Sequence, residues 1–236
     1  MIVRAGATVA ALAAGAHLLP SVATIPALHR RVLPRLSGRS ARQHVALTFD
    51  DGPDPSSTPL FLAELARLDV RATFFLLGTQ LAAQPDLGRR LVADGHEVAV
   101  HGWTHRPHLL RTPWGVAADI TRTYASVRDV TGATPRYWRP PNGVLSGAGI
   151  AAALRLRLAP VLWTADGLDW QARATPESVL GRLTARLGAG GTVLLHDSDV
   201  TSAPGSWRAA LAALPGLVEH CRGHGWGVGP LREHWA

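Results

Sequence analysis

The chain has 236 residues, 47% hydrophobic and 17% charged, which suits one good-sized packed domain and excludes long disorder. Its net charge of +7 hints at a polyanionic partner, but six arginines (Arg4, Arg30, Arg31, Arg35, Arg39 and Arg42) precede the first acidic residue, Asp50. Residues 50–236 carry 18 Arg against 17 acids, so the body is nearly neutral, which argues against a nucleic-acid groove. The single cysteine, Cys221, excludes an intramolecular disulfide and a CxxC metal knuckle.

In chain order, residues 5–28 form a run without charge, AGATVAALAAGAHLLPSVATIPAL, long enough to span a bilayer but broken by Pro20 and Pro26. Residues 1–28 are expected to be a signal- or anchor-like segment, with a hydrophobic helix and possible membrane contact through residues 5–28. An extracytoplasmic protein, secreted or membrane-anchored, is the expected localisation, favoured only together with the family resemblance given below. Arg30, Arg31 and Arg35 follow the run while only Arg4 precedes it, which supports the alternative of a cytoplasmic or membrane-peripheral chain. Residues 29–43 read as a basic linker, and 44–236 as the globular domain.

Within that domain, apolar runs at 44–49, 72–77, 97–100, 137–138, 160–164, 192–195 and 227–228 read as strands. They alternate with amphipathic stretches at 58–68, 85–93, 113–130, 147–157, 176–187 and 206–221. Pro59, Pro85, Pro113 and Pro176 stand at helix starts, and Gly95, Gly132, Gly188 and Gly223 stand just past helix ends. About seven strand–helix units in this length predict an α/β fold, a distorted and incomplete (β/α) barrel with a parallel sheet. No GxGxxG follows the first strand, so a dinucleotide-binding sheet has little support.

Ionisable residues collect at predicted strand ends. Asp50 and Asp51 end the first strand, and His101 ends the third, with His105 four residues on. Arg139 ends the fourth, Asp166 and Asp169 follow the fifth, and His196 and Asp197 end the sixth. In a parallel barrel these ends open onto one rim, where active sites are built. The Asp-Asp-Gly sequence alone also suits a turn. Two imidazoles and one Asp of the pair together make a three-ligand set for a divalent metal; N,N,O donors suit Zn²⁺, and the second Asp is left free as a base.

The motifs carry a resemblance. Thr48-Phe49-Asp50-Asp51-Gly52, His101 to His105, Arg139-Pro140-Pro141-Asn142-Gly143, Asp166-Gly167-Leu168-Asp169-Trp170 and Leu194-Leu195-His196 resemble, in order, the five motifs of the NodB-type polysaccharide deacetylases, carbohydrate esterase family 4. The resemblance implies that Asp51, His101 and His105 hold the metal. Asp50 is then the general base for the attacking water, paired with Arg139. His196 is the general acid for the leaving amine, oriented by Asp169. Trp170 and Leu194 line the acetyl pocket, and the Asn142 backbone N–H faces the oxyanion. The implied activity is metal-dependent removal of N-acetyl groups from an amino-sugar polymer or oligosaccharide, peptidoglycan- or chitin-like, so the expected partner is an acetylated glycan.

Two positions depart from the family pattern. Gly102 replaces a hydroxyl residue that steadies the histidine loop, so that support is either lost or supplied by Thr104, and Asn142 replaces Tyr. Alternatives are an O-acetyl esterase on xylan-like polymers, a cytoplasmic small-molecule N-deacetylase, and a non-catalytic envelope sugar-binding protein. The intact set Asp50, Asp51, His101, His105 and His196 argues against the last. Trp103 and Trp114, beside the histidine loop, are candidates to stack on sugar rings, while Trp138 and Trp163 read as core. His44, His108, His220, His224 and His234 read as surface residues, and Asp197 and Asp199 as caps for the segment that follows.

Overall fold

The computed structural model describes residues 14–24 and 33–235. The core is one parallel sheet: β1 (His44–Asp50), β2 (Thr73–Leu77), β3 (Glu97–Gly102), β4 (Tyr137–Trp138), β5 (Ala159–Pro160), β6 (Ala165–Asp166), β7 (Thr192–His196) and β8 (Gly227–Gly229). The order across the sheet is β5-β4-β3-β2-β1-β7-β6. β8 pairs with the first half of β1, and β2 pairs with its second half. The sheet curls so that β5 and β6, joined by four residues, flank an open seam. This is the expected incomplete barrel.

Strand periodicity sorts the side chains. Along β1, Val45, Leu47 and Phe49 face outward into the main apolar cluster with Phe61, Phe74, Leu76, Leu195 and Leu214. Ala46, Thr48 and Asp50 face the barrel interior. There Ala46 joins Phe75, Ala99, Tyr137, Val161 and Leu231 in a smaller cluster. Buried on both faces, β1 to β3 carry near-continuous apolar runs, as parallel strands do.

The outer helices are α1 (Thr58–Arg67), α2 (Gly78–Ala83), α3 (Pro85–Ala93), α4 (Pro113–Thr131), α5 (Gly147–Arg155), α6 (Pro176–Thr184), α7 (Trp207–Gly223) and the short α8 (Leu231–His234). Local sequence fixes their ends. Thr112 caps α4 through Gly115 N–H at 3.3 Å, and Gly132 ends it at φ 72°. Thr175 and Ser178 form a reciprocal capping box on α6.

Three expectations need correction. The single strand at 160–164 is two, β5 and β6, because other groups take the intervening backbone. Arg139 donates to the Val161 and Leu162 carbonyls at 3.2 and 3.0 Å, and Leu162 N–H donates to Leu36 O at 2.7 Å. α2 was not expected, and Gly at its start hid it. His108 and His234 are buried, not surface, and the His44 side chain is largely buried. His234 Nε2 faces the Gly38 and Gly190 carbonyls at 2.9 and 3.1 Å, and its Nδ1 meets His44 Nδ1 at 3.0 Å.

Residues 33–43, within the span read as linker, pack against the base of the seam. Ser37 is fully buried, Thr192 Oγ1 donates to Gly38 O at 2.6 Å, and Ser40 N–H donates to Gly190 O at 2.9 Å. Of the apolar N-terminal segment, residues 14–18 are helical and run into a 3-10 turn at Leu19–Thr24. The rest of residues 1–28 lies outside the described residues. Among those described, no helix is long and apolar enough to cross a membrane.

Candidate active site

The rim at the strand C-termini holds a cleft of about 370 Å³, lined in part by Asp50, His101, His105, Asn142, Trp170 and His196. Asp50 is the last inward-facing residue of β1. The chain then turns sharply, with Asp51 at φ 81°, a backbone region rarely adopted by residues with a side chain. That turn aims the second carboxylate into the same space as the first.

Asp51 is fully buried. Its Oδ2 accepts from the Thr201 hydroxyl. Its Oδ1 has no hydrogen-bond partner and stands 3.4 Å from His101 Nε2 and 3.8 Å from His105 Nε2. These spacings suit donors sharing one cation at bonds of about 2 Å. The three donor atoms lie within 4.8 Å of one another. His101 Nδ1 donates to Arg139 O at 2.9 Å, which turns Nε2 toward Asp51. Burial lowers the His101 pKa, but the Asp50 charge and contact with Asp51 outweigh it and raise it. Burial raises the Asp51 carboxyl, but contact with His101 and the charges of His101, His196 and His105 outweigh it and hold the group well below the usual carboxylate range. Burial also pushes His105 down, toward the neutral form that can donate a lone pair. An orphaned buried carboxylate oxygen facing two imidazole nitrogens fits a divalent metal.

Asp50 is held by Arg139, whose Nη1 donates to Asp50 Oδ1 at 2.7 Å and to Thr48 Oγ1 at 2.8 Å. The guanidinium also gives its two carbonyl bonds to residues 161 and 162 and lies 4.1 Å from the centre of the Phe75 ring. A fully buried cation needs this many partners to offset desolvation. Burial lowers the Arg139 pKa, and the Asp50 and Asp166 charges oppose that.

β7 lies beside β1 with His196 in register with Asp50. Asp169 grips His196 twice, accepting from its backbone N–H at 2.8 Å and meeting ring Nδ1 at 3.0 Å. Burial would lower this imidazole, but the Asp169 charge and hydrogen bond, helped by Asp51 and Asp50, raise it to about 10. It is therefore protonated at neutral pH. Asn142 lines the cleft at φ 58°, a left-handed conformation that Asn tolerates well.

The ten residues to which the resemblance gives roles lie on this cleft, directly or one hydrogen bond behind it. Others were not foreseen. Trp163, expected as core, lines the cleft over Gly143, where a Cβ would lie 2.5 Å from the ring. Thr201 and Ser202 lie in a turn-rich segment without a motif. Asp199 does cap its segment, accepting from Gly205 N–H. Asp197 turns back instead, taking the Thr58 hydroxyl at 2.5 Å and packing against Gly52, where a Cβ would sit 2.3 Å from its Oδ2. Burial pushes the Asp197 carboxyl up to about 7. The glycine after Asp51 is the one trace of this contact in the sequence.

Comparison with known proteins agrees with the geometry. The polysaccharide deacetylase family model matches residues 37–161, more than half of the chain. A chitooligosaccharide deacetylase from Bradyrhizobium sp. is 38% identical over 75% of this chain and 86% of its own length. A peptidoglycan-N-acetylglucosamine deacetylase from Listeria monocytogenes is 35% identical over 72% of this chain, which spans only 36% of that longer protein. The solved structure of a family 4 carbohydrate esterase from Streptomyces lividans, in complex with acetate, superposes with a TM-score of 0.71 at 32% identity, covering 79% of this chain and 91% of that one. Metal dependence belongs to this group, and the Asp51, His101 and His105 set supplies the matching donors. The chain belongs to the polysaccharide deacetylase family, the NodB-type group of carbohydrate esterase family 4.

Proposed function

We propose that this protein is a Zn²⁺-dependent hydrolase that removes N-acetyl groups from an amino-sugar polymer or oligosaccharide of the chitin or peptidoglycan type. The observation that carries the reading is the orphaned Asp51 Oδ1 between two imidazoles, in the same cleft as an Arg-paired carboxylate and an Asp-paired histidine. Two N donors and one O donor suit Zn²⁺. When bound, the ion supplies an electrophile for the acetyl carbonyl and lowers the pKa of a coordinated water to about 7.

The chain's own residues account for the other steps. Asp50, oriented by Arg139, accepts the proton of the attacking water at its free oxygen. His196, kept protonated by Asp169, delivers a proton to the departing nitrogen, which an amide needs because an unprotonated amine is a poor leaving group. Asn142 offers its backbone N–H to the developing oxyanion, and Trp170 and Leu194 bound the acetyl group.

Acetate release from N-acetylated chito- and peptidoglycan oligosaccharides, O-acetylated xylan and small amides tests this. Release from the amino-sugar substrates, abolished by chelator and restored by Zn²⁺, is the expected result. Release confined to acetylated xylan or to small amides moves the assignment to those classes, and no release from any substrate overturns it. We further propose an extracytoplasmic location with residues 5–28 as export signal or anchor, supported by their uncharged run and by a wall-polymer substrate. Residues 1–43 fused to a reporter active only outside the cytoplasm should give signal; a silent fusion favours the cytoplasmic alternative.

A further inference from the structure

Two of the metal-donor residues differ in how they are held. The His101 ring is fixed directly by Arg139 O. Among the described residues no side chain hydrogen-bonds the His105 ring, and its imidazole is part-exposed. Its position therefore depends on the backbone of residues 102–104, which joins it to β3.

That backbone is clamped from α4. Asp119 sits in the buried stripe of the helix with Val116, Ile120, Thr123 and Val127, a place where an unpaired carboxylate is costly. Its Oδ2 accepts the Trp103 N–H at 2.6 Å. Its Oδ1 accepts from Arg111 Nη1 and lies 3.4 Å from Thr104 Oγ1. Residue 102 permits the approach. At φ 154° it has a conformation that favours glycine, and a Cβ there would lie 3.0 Å from Asp119 Oδ2 and 3.3 Å from Thr104 O. Trp103 completes the anchor: a Cβ on Gly78 would fall 2.3 Å from its ring, Arg122 lies 3.5 Å from the ring centre, and Thr79 N–H donates to Trp103 O at 3.0 Å. This ring is a fastening of the loop, not a platform for sugar.

We propose that Asp119 is the positioning residue of the histidine loop, holding Trp103 and Thr104 so that His105 meets Asp51 and His101 at metal-binding distance. It does the work expected of a hydroxyl at position 102, and Thr104 takes part as its ligand. The inference rests on the reading of Asp51, His101 and His105 as metal donors.

The test is Zn²⁺ titration of the metal-free full-length protein by calorimetry, with circular dichroism and thermal melts of the same metal-free samples. Asp119→Ala should weaken Zn²⁺ binding about 10- to 100-fold, the usual effect of losing support behind a ligand. Asp119→Asn, which keeps one acceptor for Trp103 N–H but loses the charge facing Arg111, should weaken it several-fold. Activity of both variants should climb back with added Zn²⁺, which a simple loss of folded protein would not show. If Asp119→Ala does not fold, the near-isosteric Asn variant decides. Zn²⁺ affinity within twofold of wild type in a folded Asp119 variant overturns the inference and leaves the metal site standing. A wild-type protein that binds no Zn²⁺ overturns both.

Discussion

The two ends of the barrel use the same inward-facing positions for opposite purposes. At the strand C-termini these positions carry Asp50, His101 and Arg139. At the other end they carry Ala46, Ala99 and Tyr137, closed off by Leu231 of α8, while Phe75, in register with Asp50 and 4.1 Å from Arg139, lies between the two levels. The base end also has polar groups, but they answer one another. Thr73 Oγ1 donates to Glu97 at 2.7 Å and accepts Leu231 N–H at 2.8 Å, and Glu97 also takes Arg232 N–H at 3.0 Å. The rim leaves Asp51 Oδ1 without a hydrogen-bond partner, 3.4 and 3.8 Å from the Nε2 atoms of His101 and His105. The Thr73–Glu97 network at the base thus satisfies its polar atoms within the protein, and the rim leaves Asp51 Oδ1 for a ligand. Substitutions at the two ends should therefore separate activity from stability.

The largest effect is expected from the base of the reaction. Asp50→Asn keeps the shape and the Arg139 contact but removes the proton acceptor, so turnover should fall about 10²- to 10⁴-fold. Zn²⁺ should remain bound, because Asp50 is not one of the three donors, and elemental analysis of the purified variant checks this. His101→Ala, by contrast, should lose the metal itself. Full activity in Asp50→Asn would remove that residue from the mechanism.

The acid side differs in its pH signature. A folded-state pKa raised from 6.5 to about 10 makes His196 fully protonated below 6.5, and both the acid and the stabilisation it brings are lost as pH rises toward 10. Asp169→Asn removes the main source of that rise. The alkaline limb of the rate profile should move down toward 6.5 and the activity at pH 8 should drop by about tenfold or more. An unmoved alkaline limb would show that another group is the acid.

At the base end, Leu231→Ala opens a cavity under the barrel where the side chain is fully buried. Stability should drop by about 2–5 kcal/mol in a denaturant titration, with kcat/KM at low temperature close to wild type. Loss of activity without loss of stability would break the division between the two ends.

The rim was far more legible in sequence than the base. Asp50, Asp51, His101, His105, Arg139 and His196 stand at the ends of apolar runs, and strand-end position and residue type together mark a site in a parallel barrel. The base carries no such mark. His234 is buried only because two distant carbonyls, Gly38 O and Gly190 O, converge on its ring. The division of the fifth strand depends on Arg139 reaching carbonyls 22 and 23 residues away. Asp119 and Asp197 lay in a helical stretch and in a turn-like segment, where an acidic residue is usually solvated. Their partners come from other elements, so periodicity along one element could not reveal them.

Thr48 lies on the boundary and offers the finest test. It is one inward position below Asp50, donating to Val193 O at 2.5 Å and accepting from Arg139 at 2.8 Å. Thr48→Val keeps the volume but leaves a buried carbonyl and one guanidinium N–H each short of a partner, at a cost of about 1–3 kcal/mol. Arg139 retains Asp50 and both carbonyls, so Asp50 should stay oriented and activity should fall only a few-fold. If the variant instead matches Asp50→Asn in activity while remaining folded, the orientation of the base depends on Thr48 as much as on Arg139. The functional end of the barrel then reaches one layer deeper than the metal donors and their immediate partners.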